Sequence, residues 1–120
     1  MNITNPQLEA SQGANGLWTF LVTAFLEYTR EEVDSEFERW ASVFEADAIG
    51  KDDPIIESAA LRFRPPSGGH PAQWKFQNIS RDLIDTELGD EEIYVQISLR
   101  NFTTDSFPIT ARTPTITISA

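Results

Sequence analysis

Apolar and polar side chains alternate with a period of two over much of this chain, which predicts β-strands. The alternation is clearest between residues 93 and 100. The apolar side chains there are Ile93, Val95, Ile97 and Leu99, and those between them are Tyr94, Gln96, Ser98 and Arg100. Successive side chains of a strand point to opposite faces of a sheet, so the pattern predicts a strand with one buried face.

The segment from Leu17 to Tyr28 is apolar on both faces and rich in aromatic and β-branched residues, as is typical of strands. One face would hold Trp18, Phe20, Val22, Ala24, Leu26 and Tyr28, and the other would hold Leu17, Leu21 and Phe25. The pattern predicts either a central strand covered on both sides or a strand held at its ends.

Residues 29–46 are compatible with two structures. Thr29 and Glu32 have the spacing of a helix capping box, and apolar residues with helical spacing follow them. The alternative is a turn over residues 29–36 and then a strand from Phe37 to Ala46. We favour this hairpin because the neighbouring segments have the composition of strands, and the helix stays open as the alternative.

Several shorter segments complete the predicted fold. Strand patterns recur at Ile55–Phe63, Trp74–Phe76, Phe107–Ile109 and Thr115–Ser119, a Pro/Gly-rich loop covers 65–71, and one or two helical turns are expected at Ser80–Leu88. The fold class predicted is all-β, an antiparallel two-sheet β-sandwich of about seven strands. An amphipathic helix at about 29–46 would make it α+β instead.

The chain is predicted to form one domain over residues 17–120, preceded by a flexible leader over 1–16. The leader is polar and contains Pro6, Gly13 and Gly16, which interrupt regular structure. It lacks the basic and apolar regions of a signal peptide, which predicts a cytoplasmic protein. The longest apolar run, Leu17–Leu26, has about half the length of a membrane-spanning helix, so no integral membrane segment is expected.

Charge and cysteine content narrow the function. The 120 residues include 19 acidic and 9 basic side chains, and the formal net charge is -10. Only Lys51 and Lys75 are lysines, so no basic surface is predicted that could neutralise nucleic-acid phosphates. An acidic surface suits solubility, cation binding or a basic partner. The absence of cysteine excludes disulfides, thiolate zinc sites and a cysteine nucleophile.

An acidic segment between two apolar runs, Val43–Ile56, is the strongest candidate for a site. Calcium prefers six to eight oxygen ligands from a loop that can fold around the ion. Glu45, Asp47 and Asp53 could supply three carboxylates, with backbone carbonyls completing the shell. These three residues are the predicted metal ligands, and Ca²⁺ is the one cofactor considered.

This segment resembles a calcium loop of the phospholipid-binding β-sandwich domains found in synaptotagmins and protein kinase C. The pattern of that loop is roughly Val-x-Asp-x-Asp-x-Ile-Gly-Lys-x-Asp, and Glu45 stands where the family has an aspartate. The matching residues are Val43, Asp47, Ile49, Gly50, Lys51 and Asp53. In that family the aspartates ligate calcium and the lid of the site meets lipid headgroups, so the resemblance implies calcium-dependent ligand or membrane binding.

Aromatic side chains offer a second candidate site. Trp74, which follows the Pro/Gly-rich loop, is predicted to be exposed, and if it shares an outer face with Tyr94 the two residues would suit a protein-binding surface. Trp18 and Trp40 have apolar neighbours and are expected in the core. The single histidine, His70, is expected to be a solvated loop residue, so no catalytic triad is predicted.

These patterns predict a non-catalytic binding or assembly module with an acidic surface, and not an enzyme. The alternative is a calcium-dependent β-sandwich that uses the Glu45–Asp53 loop. The C-terminal strand carries no charge after Arg112, and an uncharged edge strand tends to pair with a neighbour. The expected partner is therefore an unknown protein or a second copy of the chain joined through this edge.

Overall fold

The computed structural model describes residues 1–46, 51–84 and 90–119, and within them the protein is almost entirely β. A 3-10 turn at Glu32–Asp34 and a single helical turn, α1, at Arg81–Ile84 are the helical elements described there. The strands are β1 Asn2–Gln12, β2 Trp18–Glu27, β3 Phe37–Glu45, β4 Asp53–Glu57, β5 Leu61–Phe63, β6 Gly69–Ile79, β7 Asp90–Asn101, β8 Ile109–Arg112 and β9 Ile116–Ser119.

The strands form two antiparallel sheets, which confirms the predicted β-sandwich. The first sheet has the order β1-β2-β6. The second has the order β4-β3-β7-β8, with β5 beside β4 on β3 and β9 beside β8 on β7. The described residues hold nine strands rather than about seven. The strand β9 lies at an edge of the second sheet, and its pairing with a second copy stays a prediction.

The core lies between the two sheets and follows the alternation read from the sequence. The side chains of Ile93, Val95, Ile97 and Leu99 on β7 are fully buried, and Phe20, Val22 and Leu26 on β2 face them with no exposed surface. Full burial of a side chain of this size stabilises the fold by about 1.5–3 kcal/mol. The other face of β2 is open, since Phe25 is 41% exposed.

The prediction of a flexible leader over residues 1–16 is wrong, because β1 pairs with β2 along almost its whole length. The register runs from Asn2 opposite Glu27 to Gln12 opposite Trp18 and shifts between Thr4 and Gln7. Ile3 and Leu8 are both buried although five residues separate them, an odd spacing that would put them on opposite faces of a regular strand. The irregularity brings both to one face and hides the alternation in the sequence.

Residues 29–46 contain a strand and no α-helix, so the favoured alternative is right about β3 and wrong about the hairpin. The strands β2 and β3 belong to different sheets, and the segment between them crosses the sandwich. The capping-box contacts do form: the Thr29 N–H donates to Glu32 Oε1 at 2.7 Å and the Glu32 N–H donates to Thr29 Oγ1 at 3.3 Å. They close a 3-10 turn rather than starting a longer helix.

Among the residues that the structure describes, no helix has the length and apolar character required to cross a bilayer.

Candidate binding surface on the second sheet

The outer face of the second sheet carries polar and aromatic side chains from its two central strands. Because Ala41 and Val43 of β3 and the odd-numbered residues of β7 from 93 to 99 point inward, their neighbours point outward. The register places Glu38 opposite Arg100, Trp40 opposite Ser98 and Phe44 opposite Tyr94. Cross-strand neighbours of this kind interact directly on one face of a sheet.

A break between β4 and β5 opens a cleft on this face. Sequence alternation predicts one strand from Ile55 to Phe63, but pairing with β3 stops after Glu57 and resumes at Leu61. Ser58 partly bridges the gap, because its N–H donates to the Ala41 carbonyl and its hydroxyl accepts from the Ala41 N–H, both at 2.9 Å. The resulting Trp40 cleft, of about 340 Å³, is lined by Glu38, Trp40, Glu57, Ser58 and Ala60.

A second depression, of about 260 Å³, lies next to the Trp40 cleft along β3 and β4. Glu57 lines both, so the two form one continuous surface. The lining of the second depression is Ser42, Phe44, Pro54, Ile55, Ile56 and Glu57.

The carboxylates at the Trp40 cleft have different partners. Glu38 Oε1 accepts from Arg100 Nε at 3.0 Å, and the same guanidinium donates to Asp105 Oδ1 through Nη1 at 2.7 Å. Hydrogen bonds to these two carboxylates raise the pKa of Arg100 above its ordinary value. Glu57 is exposed and accepts from the Ser42 hydroxyl at 2.8 Å. Within the described part of the chain, no basic group lies within ion-pair distance of Glu57.

Aromatic rings on this outer face are covered to different degrees. Tyr94 stacks on Phe44, with ring centroids 5.4 Å apart, and the Arg112 guanidinium lies 3.6 Å from the Tyr94 centroid. Phe102, at the end of β7, carries the Arg62 guanidinium at 3.5 Å. Over the indole of Trp40 the described residues place neither another ring nor a guanidinium. Among the described residues, the indole of Trp40 is therefore a ring of this face with neither a stacked ring nor a guanidinium of the chain over it.

The predicted pairing of Trp74 with Tyr94 on one outer face is wrong. Trp74 is 8% exposed and points into the sandwich with Ala72 and Phe76 of β6. Tyr94 does point outward, but Phe44 and Arg112 cover it and only 5% of it is exposed. The strand β6 begins at Gly69, earlier than predicted, and the face that each residue occupies depends on the packing of this whole strand.

The expectation that Trp40 is a core residue is also wrong, since it lines the outer cleft. Its apolar neighbours in the sequence, on which that expectation rested, gave a misleading signal. Residues 37–45 form a strand, in which Trp40 and Phe44 share the outer face while Phe37 is fully buried on the inner face. The signal that identifies Trp40 as a surface residue is its alternation with Ala41 and Val43, once the strand is known.

His70 lies in β6 and not in a solvated loop, which corrects the expectation for this residue. Its Nε2 lies 2.7 Å from the Tyr28 hydroxyl, and the two rings stack with centroids 5.5 Å apart. Burial and the nearby Arg39 guanidinium lower the pKa of His70, and burial raises the pKa of Tyr28. The Arg39 guanidinium lies 5.3 Å from the Phe63 centroid and 5.2 Å from the Trp74 centroid. The cluster formed by Tyr28, Arg39 and His70 therefore lies on the interior side of β3.

The predicted metal ligands occupy different environments. Glu45 is 2% exposed and ends β3, and Asp53 is exposed and lies opposite it at the start of β4. Asp47 lies outside the described residues, as do Ile49 and Gly50 of the calcium-loop resemblance. Within the described ranges, no three His, Cys, Asp or Glu side chains come together in a way that could hold a metal ion. The calcium site stays a prediction.

Asp52 is a residue of the acidic segment that the prediction did not single out. Its Oδ2 accepts a hydrogen bond of 2.5 Å from the Tyr94 hydroxyl. Burial and this hydrogen bond raise the pKa of Tyr94. The acidic segment is thereby attached to the outer face of the second sheet.

Comparison with known proteins supports the fold alone. No protein-family model matches the chain, and no curated protein matches it in sequence. Among solved structures it is similar to part of the β-glucuronidase of Parabacteroides merdae, with a TM-score of 0.50 and 16% sequence identity. The match covers 92% of this chain and 13% of the glucuronidase chain. The chain therefore belongs to the class of two-sheet β-sandwiches, and at this identity the similarity assigns no activity.

Proposed function

We propose that this protein is a non-catalytic binding module whose ligand surface is the outer face of the second sheet, centred on the Trp40 cleft. The observation that carries the proposal is the uncovered indole of Trp40 beside the exposed carboxylate of Glu57. Tryptophan combines a large apolar surface with a polar N–H and is enriched at binding hot spots.

The location of the perturbed acid–base groups supports binding rather than catalysis. Residues with strongly shifted pKa values cluster at active sites when they lie in a cleft. Here the pKa values of Tyr28 and His70 are shifted mainly by burial, and both rings face the interior side of β3. The cleft lies on the opposite side of that strand. Tyr94, whose pKa is also raised, lies on the outer face, but Phe44 and Arg112 cover it and it does not line the cleft.

A calcium-dependent form of this function is a second candidate. It would use the Glu45–Asp53 loop, and one observation favours a functional role for the segment: Asp52 is bonded to Tyr94 on the proposed binding face. Ion binding at the segment would then be transmitted to that face. Asp53 is exposed at the start of β4 and is the described residue best placed to meet an ion from solvent.

The test uses the indole N–H signals of the three tryptophans in a ¹⁵N spectrum of the full chain. Probes are an oligo-arginine peptide, a mixture of neutral oligosaccharides and an oligo-glutamate peptide, each at millimolar concentration. We expect at least one probe to shift the Trp40 signal and leave that of the buried Trp74 unchanged. With binding measured by calorimetry, since Trp40→Ala removes the reporting signal, Trp40→Ala should abolish binding, and Phe25→Ala, on the outer face of the first sheet, should not. Failure of every probe to shift Trp40 would overturn the proposal.

A further inference from the structure

We infer that the Trp40 cleft receives a lysine or arginine side chain of a basic partner polypeptide, with the cation over the indole and hydrogen-bonded to Glu57. This inference rests on the proposed function and adds the chemical class of the ligand. Four observations support it: guanidinium groups cover the neighbouring aromatic rings, the two carboxylates of the cleft have different partners, the cleft has the size of one side chain, and the chain has a negative net charge.

The neighbouring rings of the outer face already bind guanidinium groups of the chain itself. Arg62 lies 3.5 Å from the centroid of Phe102, and Arg112 lies 3.6 Å from that of Tyr94. A cation over an aromatic ring is attracted by the negative face of the π-system, and tryptophan gives the strongest interaction of the three ring types. Trp40 has the best ring for a cation, and the described residues place no cation on it.

Of the two carboxylates that line the cleft, Glu57 is the one with no basic partner among the described residues. Glu38 is engaged by Arg100, whose side chain is 20% exposed and which also binds Asp105. Glu57 uses Oε1 to accept from Ser42, which leaves its second oxygen without a bond to a described residue. Hydrogen bonds in which the donor or the acceptor is ionised are roughly twice as strong as those between neutral groups. A cationic side chain over Trp40 would satisfy Glu57 in this way.

The size of the cleft fits a single side chain better than a larger ligand. Its volume of about 340 Å³ is at the lower end of the range of about 300–1,000 Å³ for small-molecule sites. It is open at the sheet surface and continues along β3 and β4 into the depression beside Phe44. An extended peptide could therefore place one basic side chain in the cleft and an apolar neighbour against Phe44.

The charge of the whole chain favours the same partner. A net charge of -10 attracts basic partners over long distances and repels acidic ones. Electrostatic attraction of this kind raises association rates and weakens with ionic strength. Attraction by the overall charge is nevertheless nonspecific, so the experiment must separate it from a specific contact at Glu57.

The probes are a short peptide with one central arginine and the same peptide with citrulline, which keeps the shape of the side chain and removes its charge. Binding is followed by the shifts of the Trp40 indole N–H. We expect the citrulline peptide to bind about tenfold more weakly, because it loses the cation–π contact and can offer Glu57 only a neutral donor in place of a cation. Trp40→Leu lacks this signal, so its binding is measured by calorimetry, and we expect it to bind the arginine peptide more weakly by a similar factor.

The matched pair of protein variants is Glu57→Gln and Glu9→Gln. Each removes one exposed carboxylate, and Glu9 lies on β1 in the other sheet. Glu57→Gln should weaken arginine-peptide binding about fivefold to tenfold, and Glu9→Gln less than twofold. Equal effects of the two variants would show that only nonspecific charge attraction holds the peptide, and this result would overturn the inference. The ¹⁵N spectrum of each variant confirms that the fold is retained.

Two further outcomes separate this inference from the proposed function. If neutral oligosaccharides shift Trp40 and the arginine peptide does not, the surface is a binding site and the inference about its ligand is wrong. If none of these probes shifts Trp40, the proposed function fails together with the inference.

Discussion

The Tyr94 hydroxyl donates a hydrogen bond to Asp52 Oδ2 at 2.5 Å and thereby connects the acidic segment before β4 to β7. The strand β3 separates β4 from β7 in the second sheet, so this bond spans the outer side of β3. The same tyrosine ring stacks on Phe44 and carries Arg112. The position of the Asp52 side chain therefore depends on a residue of the candidate binding face.

Removal of this hydrogen bond should destabilise the protein without disturbing the ring contacts. Tyr94→Phe keeps the stacking on Phe44 and removes the donor, so we expect a loss of about 1–2 kcal/mol in the free energy of unfolding. Urea denaturation measures the loss. In a double-mutant cycle, Asp52→Asn should cost less in the Tyr94→Phe background than in the wild type. Additive effects would show that the two side chains do not interact.

Trp74 and Trp40 should differ strongly in their contribution to stability. Trp74 is buried between the sheets, so Trp74→Ala leaves a large cavity and should cost about 3–5 kcal/mol in urea denaturation. Trp40→Ala should cost less than half as much, because the outer cleft already exposes part of the indole. A larger cost for Trp40 than for Trp74 would contradict the assignment of the two faces.

Acidification should weaken the fold through His70. Its pKa in the folded protein lies below the ordinary value of 6.5, so the unfolded chain takes up the proton first as the pH falls. The stability contributed by the neutral imidazole is complete above pH 6.5 and is lost as the pH falls from there through the folded-state pKa.

The measurement compares urea denaturation of the wild type and His70→Gln between pH 7.5 and 5. We expect the stability advantage of the wild type to shrink below pH 6.5, because glutamine does not titrate. A constant difference over this range would show that His70 has an unshifted pKa.

The calcium hypothesis makes a prediction that is independent of the Trp40 cleft. If the Glu45–Asp53 loop binds calcium, millimolar calcium should raise the melting temperature, because an ion bound only by the folded state stabilises it. Asp47→Asn and Asp53→Asn should each remove the shift, and magnesium at the same concentration is the control. Identical melting curves in calcium and in chelator would exclude this site.

Alternation alone was sufficient to predict the central strands and hence the β-sandwich. In β2 the buried side chains recur every second residue, and in β7 every odd-numbered residue from 91 to 101 is buried, because each strand has one face against the core. On the other face of β7, Tyr94 and Ser98 are buried as well. Alternation did not predict β1, because a register shift in this strand places Ile3 and Leu8 on the same face although five positions separate them. Pairing with β2 stabilises this local irregularity. The amino-acid sequence of residues 1–16 does not by itself show that pairing.

The candidate binding surface could not be predicted from the sequence, because its position depends on how the two sheets pack. Period-two alternation states which residues share a face but not which face meets the other sheet, so Trp40 and Trp74 were assigned to the wrong environments. The cleft itself exists because pairing with β3 is interrupted between Glu57 and Leu61. The amino-acid sequence thus determined the period of the strands and the acidic charge, whereas the packing of the two sheets decided that Trp40 lies on the outer face and Trp74 in the core.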